Sequence, residues 1–236
     1  MYNNQKISVI FPVYNEEKNI EKAINDFFAT KVVDEIIAVD NNSSDQSAEL
    51  IRRTKALYVC EKKQGYGNAL RAGLAKASGD LIFTCEPDGT FSAHDIFKFL
   101  PYLDSEEFEV VFGTRTSKSL IWSSAKMNWF FRFGNLLLAK YLEYLHNGPC
   151  LTDVGCTFKA IHKKSLQKIL NHLHVGGSTF SPEFMVVCLK KKLKCVEIPV
   201  NYKERIGESK ITSNSWRAAK LGLKMIFLIL LLKFKK

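Results

Sequence analysis

The sequence has 236 residues, of which 46% are hydrophobic, with six cysteines and a formal net charge of +10. These values are typical of a well-packed globular protein, and one α/β domain with a short appendage is the simplest interpretation. The cysteines form no C-x-x-C pair, which argues against a disulfide framework and for reduced thiols in a cytosolic protein. Residues 1–6 contain no apolar stretch, so we expect no cleaved signal peptide.

The first half of the chain alternates short β-rich apolar runs with helical patterns. The predicted strands lie at residues 7–12, 35–40, 57–60, 81–85 and 110–112, and the predicted helices at 16–30, 47–55, 68–77 and 94–103. This alternation predicts an α/β fold with a Rossmann-like, mostly parallel sheet and helices on both faces. The pattern Ser92-Ala93-His94-Asp95 predicts a capping box at the start of the fourth helix.

The second half is less regular. It contains an aromatic-rich helical segment at 122–144, strands at 156–161 and 195–200, and a helix at 182–191. No internal repeat or low-complexity linker divides the chain. We therefore expect one domain over residues 1–213 and a C-terminal amphipathic helix over residues 214–236.

Most of the excess positive charge belongs to the C-terminal tail. From Ser209 onward the chain contains basic residues but no acidic ones, and lysines flank the apolar run 225–232. A run this short cannot cross a bilayer, which needs about 20 apolar residues. A helix lying at a membrane surface fits this composition, with lysines at anionic headgroups. A core or dimer-interface helix, or a chain cut just before a transmembrane segment, fits it equally.

Polar residues follow three predicted strands at the point where each strand ends. The resulting turns are Tyr14-Asn15-Glu16-Glu17, Asp40-Asn41-Asn42 and Glu86-Pro87-Asp88-Gly89. In an open α/β sheet, ligands bind outside the carboxyl ends of the strands. The sequence therefore predicts a ligand site at this edge of the sheet.

The turn at residues 86–89 carries two carboxylates suited to a metal ion. A hard divalent cation needs one or two carboxylates and leaves positions for water and phosphate oxygens. Asp88 fits as the direct ligand, whereas Glu86 either binds the metal or accepts a hydrogen bond from a ribose or sugar hydroxyl. Pro87 fixes the backbone between them, and Gly89 lets the chain turn close to the ligand. Most isolated E-P-D-G sequences are ordinary acidic turns, so the assignment depends on the other segments.

Together with the helix start at residues 64–70, these turns resemble the inverting GT-A glycosyltransferases of family 2. Within them, they resemble the dolichyl-phosphate mannosyltransferase and polyprenyl-phosphate glycosyltransferase group, from Ile7 to about Ile211. The resemblance implies transfer from a UDP- or GDP-hexose to a polyprenyl phosphate. In that family a P-x-Y-N-E turn and a strand-end aspartate hold the nucleoside, here Pro12, Tyr14, Asn15, Glu16 and Asp40. The family's D-x-D element holds Mg²⁺ or Mn²⁺ on the diphosphate, and here it reads Glu86-Pro87-Asp88.

Three later segments resemble motifs of the same family. Residues 113–115 resemble G-S-R, which implies that Arg115 lies by the phosphates of the donor and helps to neutralise charge on the leaving group. Residues 153–159 resemble D-x-x-x-G-F/Y-R/K, which implies that Asp153 supports the sugar and acceptor region. Residues 197–210 resemble E-V-P-x-x-Y/F-x-x-R-x-G-x-S-K, and Arg205 and Lys210 are expected to bring positive charge onto the diphosphate. We expect catalytic roles for Asp88, Asp153 and Arg205.

The chemistry of the acceptor bears on whether a general base is needed. A phosphate monoester has its second pKa at about 6 and is largely ionised at neutral pH, whereas a sugar hydroxyl needs a carboxylate base. Arginines are then sufficient to place a phosphate acceptor, and Arg132 in the aromatic-rich segment is the candidate. A helical core face with outward-pointing basic residues is the alternative for this segment.

Two other functions are compatible with the sequence. The acceptor could be a sugar hydroxyl of a glycan or lipid-linked saccharide, with Asp153 or another carboxylate as the base. The chain could also be an inactive nucleotide-sugar sensor or scaffold. Nucleic-acid binding is disfavoured, because the positive charge follows an apolar tail. We expect a peripheral location on the cytoplasmic face of a membrane, and the sequence does not indicate an oligomeric state.

Overall fold

The structure is a computed structural model that describes residues 1–105, 107–121, 129–206 and 215–235. Within these residues the sheet contains β1 (Ile7–Val13), β2 (Glu35–Asp40), β3 (Leu57–Cys60), β4 (Leu81–Thr84), β5 (Val110–Thr114), β6 (Lys159–His162) and β7 (Cys195–Pro199). The helices are α1 (Ile20–Ala29), α2 (Ser47–Arg52), α3 (Tyr66–Lys76), α4 (Ile96–Asp104), α5 (Trp129–His146), α6 (Lys163–Ile169), α7 (Phe180–Lys190) and α8 (Ser215–Phe234).

The strands form one sheet in the order β3-β2-β1-β4-β6-β5-β7. All neighbouring pairs are parallel except those of β6, which is antiparallel to both β4 and β5. Because β6 reverses the direction twice, β5 and β7 run the same way as β1, β2 and β4. The carboxyl ends of these five strands therefore meet at one edge, and the predicted mostly parallel sheet is confirmed.

Hydrophobic cores cover both faces of the sheet. All seven residues of β1 are buried, as expected for a central strand of a parallel sheet. Successive residues of β1 point to opposite faces, so Val9 and Phe11 pack with α1 and α4, whereas Ile10 packs with α3 and α7. This packing fixes the strands and leaves the loops at the carboxyl edge free for polar residues.

Several local predictions were wrong. Ser92 makes no side-chain capping bond, and the Asp95 carboxylate instead accepts hydrogen bonds from the backbone N–H (2.5 Å) and side-chain amide (2.7 Å) of Asn201. The first helix begins at Ile20, since residues 16–19 form a polar turn. Helix α6 was not predicted, because its short polar sequence buries only Ser165, Leu166 and Ile169.

The C-terminal helix α8 packs against α5 and α7. Met225, Ile229 and Leu232 are buried in the same core as Ile10. The Lys190 ammonium donates to the carbonyl of Leu232 (2.7 Å). The predicted boundary at residues 213 and 214 lies outside the described residues. Among the helices in the described ranges, none combines the length and apolar character that crossing a bilayer requires.

Candidate active site

The site lies at the carboxyl edge of the sheet, where the turns after β1 and β2 are joined to each other. Asn15 has a left-handed backbone (φ 56°), which asparagine adopts more readily than most residues. Its side-chain oxygen accepts from the N–H of Ser44 (2.9 Å), and its own N–H donates to Ser43 Oγ (3.1 Å). The N–H of Ser43 donates to Asp40 Oδ1 (3.2 Å).

The structure therefore brings Tyr14, Asn15 and Asp40 to one edge of the sheet, and their contact with a nucleoside stays a prediction. Pro12 differs in position, because it is buried inside β1 and pairs with Val39 of β2. It supports the end of the strand below the turn.

Asp88 lies in the turn after β4 and is 1% exposed. Its Oδ1 accepts from the N–H (3.0 Å) and the hydroxyl (2.6 Å) of Thr90. Its Oδ2 is buried and has no hydrogen-bond partner among the described residues, although Arg205 Nη1 lies 3.3 Å away. A buried carboxylate oxygen without a hydrogen bond is costly, so this oxygen is available to a cation.

Glu86 lies beside Asp88 and is partly buried. Burial, and then the negative charge of Asp88, raise the pKa of Glu86 to about 8, against the opposing charges of Arg205 and Arg115. Without a bound cation, this carboxyl therefore keeps its proton to a higher pH than an exposed glutamate does. Two carboxyls that resist joint ionisation form a site that favours an added positive charge.

Arg205 links this turn to the turn after β1. Its Nη2 donates to Glu16 Oε1 (2.9 Å), while Nη1 lies near Asp88. The backbone of the same segment is held in place, because the N–H of Ile206 donates to the carbonyl of Asp88 (3.1 Å). The Asn19 amide donates to Glu16 Oε2 (2.7 Å) and to the carbonyl of Ile206 (2.8 Å). Burial raises the pKa of Glu16.

Arg115 and Asp153 form a buried pair on the other side of the site. Asp153 is fully buried and accepts from Arg115 Nε (2.8 Å), Nη2 (3.0 Å) and backbone N–H (3.1 Å). Although burial acts to raise the pKa of Asp153, the charge and hydrogen bonds of Arg115 hold it below its ordinary value. The guanidinium of Arg115 also lies over the ring of Tyr202, 5.4 Å from its centroid.

Arg132, the predicted acceptor ligand, lies on α5. Its Nη2 donates to the carbonyl of Thr116 (2.8 Å). Its Nε is buried and has no hydrogen-bond partner within the described ranges. Lys210, the other predicted phosphate ligand, lies outside the described residues, as do residues 122–128 of the aromatic-rich segment.

The glycines at the start of α3 have a packing role. A Cβ on Gly65 would lie 2.3 Å from the carbonyl oxygen of Gly176, and one on Gly67 would lie 2.1 Å from that of Val175. The Asn41 side chain holds the preceding loop through the carbonyls of Glu61 (2.9 Å) and Lys63 (3.0 Å). These close contacts account for the glycines without a ligand.

The sequence reasoning missed two residues that shape this site, Asn19 and Thr90. Both are buried polar side chains, and each contacts a predicted site residue. Thr90 stands two positions after Asp88, a spacing typical of a side-chain turn, which was the available signal. Asn19 bonds across 187 residues to Ile206, and no local pattern marks such a contact.

The residues present fit a divalent cation that is shared with a diphosphate. Among the residues that the structure describes, no group of three or more His, Cys, Asp or Glu side chains could hold a metal alone. The two carboxyls of Glu86 and Asp88 match the smaller number that Mg²⁺ or Mn²⁺ uses when phosphate oxygens complete its shell. Asp88 Oδ2, which accepts no hydrogen bond from the described residues, is free to take up such an ion.

Comparison with known proteins is consistent with this geometry. Residues 8–170 match the sequence profile of the family described as Glycosyl transferase family 2. The undecaprenyl-phosphate 4-deoxy-4-formamido-L-arabinose transferase of Enterobacter sp. (strain 638) is 29% identical over 217 residues, which cover 87% of this chain but 62% of that protein. The dolichyl-phosphate hexose transferase of Haloferax volcanii is 26% identical over 213 residues, covering 89% of this chain and 88% of that protein. The chain thus spans less than two thirds of the length of the first of these relatives.

Solved structures share the fold. The glucosyl-3-phosphoglycerate synthase of Mycobacterium tuberculosis, crystallised with Mn²⁺, UDP and glucosyl-3-phosphoglycerate, superimposes with a TM-score of 0.72 at 18% identity. The superposition covers 98% of this chain and 80% of that one. The predicted GT-A type of sheet is therefore confirmed.

Proposed function

This chain belongs to glycosyl transferase family 2, and on that premise we propose that it transfers a hexose from a nucleotide-sugar to a polyprenyl phosphate. The observation that carries the proposal is the buried Asp88 Oδ2, which has no hydrogen-bond partner in the described residues and faces Arg205 beside Glu86. The names of the two relatives above, both polyprenyl-phosphate sugar transferases, support the same acceptor class.

The donor site is proposed at the turns after β1, β2 and β4. Tyr14, Asn15 and Asp40 would contact the nucleoside of a UDP- or GDP-hexose. Asp88, with Glu86, would hold Mg²⁺ or Mn²⁺, which would neutralise charge on the leaving diphosphate. Arg205 is already positioned at Asp88 and can turn its guanidinium toward phosphate oxygens, which a planar fork binds in bidentate fashion. Lys210 follows it in the chain and is proposed for the same role.

The acceptor phosphate is proposed to bind beside Arg132. Arg115 was expected at the donor phosphates, and we propose that it also contacts the acceptor phosphate, because Arg132 bonds to the carbonyl of Thr116, the next residue after Arg115. An ionised phosphate oxygen would attack the anomeric carbon in line with departure of the nucleoside diphosphate, which gives a β-linked product from an α-linked donor. The hydrogen bonds that Asp153 accepts from Arg115 support a phosphate acceptor over a sugar hydroxyl. Both of its carboxylate oxygens are bonded to Arg115 in a fully buried position, so it is poorly placed to take a proton from a hydroxyl.

Labelled nucleotide-sugars tested in parallel with two acceptors would decide between the functions. The protein is incubated with UDP- and GDP-hexoses, Mg²⁺ or Mn²⁺, and either a polyprenyl phosphate or a glycan primer. We expect an acid-labile lipid product that forms without any glycan. Product that forms only on the glycan would contradict the proposal, and donor binding without turnover under either metal would favour a sensor.

We also propose that residues 1–213 form the catalytic domain and that residues 214–236 attach it to the cytoplasmic face of a membrane. The outward side of α8 remains apolar although its other side is buried in the core. Its exposed large side chains are Leu223, Ile226, Phe227, Leu230, Leu231 and Phe234. Exposed lysines accompany them at positions 220 and 224, which suits anionic headgroups. The free cysteines support a reducing compartment.

Leu231→Glu is expected to reduce binding to vesicles containing phosphatidylglycerol by about tenfold or more, since it removes an apolar contact and adds a repelled charge. Leu57→Glu is the matched control, because Leu57 on β3 is also 46% exposed. Co-sedimentation with vesicles measures both variants. If the two glutamates have the same effect, α8 is not the attachment surface.

A further inference from the structure

The carboxylate of Glu197, on β7, is used to hold the loop that precedes β6. Its Oε2 accepts from the N–H (2.8 Å) and hydroxyl (2.6 Å) of Thr152, and its Oε1 accepts from the N–H of Asp153 (3.1 Å). Three donors from two consecutive residues converge on one side chain. Strand β7 pairs with β5, with Glu197 opposite Phe112, so this carboxylate ties the loop to the strand that carries Arg115 at its end.

One series of hydrogen bonds, which we call the first branch, leads from Glu197 through Asp153 to Arg115. Once its backbone is fixed, Asp153 binds the Arg115 guanidinium through two parallel hydrogen bonds and the Arg115 N–H through a third. It also accepts from the N–H of Gly155 (2.9 Å). A guanidinium held in bidentate fashion has a defined plane. The direction in which Arg115 presents its remaining donors therefore depends on the position of Asp153.

A second branch leads to Arg132. The hydroxyl of Thr152 lies 2.8 Å from those of both Thr114 and Thr116, and the latter two are 2.9 Å apart. This ring of three hydroxyls joins the loop before β6 to the chain that leaves β5. The carbonyl of Thr116 accepts from Arg132 Nη2 (2.8 Å). The three hydroxyls therefore fix the position of the Thr116 carbonyl to which the Arg132 guanidinium donates.

We propose that Glu197 is a positioning residue that orients Arg115 and Arg132 together, through Asp153 and Thr152, for one anionic group of the substrates. The inference rests on the proposed function, which places the acceptor phosphate beside these arginines. Neither branch gives Glu197 contact with substrate. Its effect is geometric, and an error of about 1 Å in a positioning group can lower a rate about 100-fold.

Thr152 offers a matched pair of variants that separates this role from stability. Thr152→Val removes the hydroxyl and keeps the branched shape, whereas Thr152→Ser keeps the hydroxyl. We expect Thr152→Val to lower kcat/KM for polyprenyl phosphate about 10- to 100-fold and to leave the KM for the nucleotide-sugar within about twofold. Thr152→Ser should retain most of the activity. Equal activities of the two variants, or losses that follow only their thermal stability, would overturn the proposal.

A spectroscopic measurement tests the same proposal without catalysis. The Arg115 Nε–H is buried in a 2.8 Å hydrogen bond to Asp153, so it should give a protected ¹⁵N signal. In Glu197→Gln, an amide NH₂ replaces one of the two oxygens that now accept from the donors of Thr152 and Asp153. We expect the Arg115 signal to shift or disappear in this variant, whereas Thr152→Ser retains it. An unchanged Arg115 signal in Glu197→Gln would contradict the proposal that Glu197 positions Arg115. Absence of lipid-phosphate transfer in the unaltered protein would instead refute the proposed function.

Discussion

Replacing Asp88 with asparagine is expected to reduce sugar transfer and donor hydrolysis by about 1,000-fold or more and to leave the fold intact. The asparagine oxygen can still accept from the N–H and hydroxyl of Thr90, which hold the turn. Its amide nitrogen would occupy the place of Oδ2, where the structure has a buried anionic oxygen facing Arg205. A neutral donor there cannot bind a cation. Product formation from labelled nucleotide-sugar measures the loss, and circular dichroism verifies the fold.

Glu86→Gln provides the graded control for this prediction. Without a bound metal ion, burial and then the negative charge of Asp88 raise the pKa of Glu86 to about 8, so this carboxyl gives up its proton less readily to become a metal ligand. We therefore expect a smaller loss of activity than for Asp88→Asn.

Chelation of divalent ions should abolish transfer, and added Mg²⁺ or Mn²⁺ should restore it. Near-normal transfer by Asp88→Asn would refute the metal and donor assignment.

Asp153→Asn is expected to lower the free energy of unfolding by about 3–5 kcal/mol, because it leaves the Arg115 guanidinium buried without a counter-charge. For a chain of this size, 1 kcal/mol corresponds to a shift of about 2–4 °C in Tm. Thermal and urea unfolding measure the effect. Asp26→Asn is the control, since Asp26 forms an exposed pair with Lys22 and such pairs contribute little.

The same pair predicts a dependence of stability on pH. The pKa of Asp153 is lower in the folded protein than its ordinary value, so its contribution is complete above the ordinary pKa and is lost as the pH falls through the folded one. The Asp153→Asn variant should therefore not show this loss of stability in acid. A double replacement, Arg115→Met with Asp153→Leu, should recover part of the stability without activity. If Asp153→Asn unfolds at the same Tm as the unaltered protein, the pair is not a structural ion pair.

The sheet and the edge that carries the site could be predicted from the sequence. Strands such as β1 and β2 are continuous apolar runs that end in polar turns, and this pattern is local. The positions of Asp40 and Asp88 follow from it, because parallel strands place their carboxyl ends together. The start of α3, two residues before the predicted one, shows the usual uncertainty of helix ends.

Contacts between distant segments could not be predicted. The pattern around Ser92 indicated a capping box, but Asp95 bonds to Asn201, 106 residues away. The expected support of the sugar and acceptor region by Asp153 stays a prediction, whereas its ion pair with Arg115 was not predicted. Side-chain partners of this kind are chosen by tertiary packing, which single-sequence patterns do not encode.

Because the inward side of α8 is packed in the core, the domain has a fixed orientation relative to any surface that the outward side of α8 contacts. A tail on a flexible linker would let the catalytic edge rotate and search all directions. Met225, Ile229 and Leu232 are instead part of the core, and Lys190 fastens the end of the helix to α7. The tilt and height of the Asp88 turn above such a surface are therefore set by the core packing of three apolar side chains.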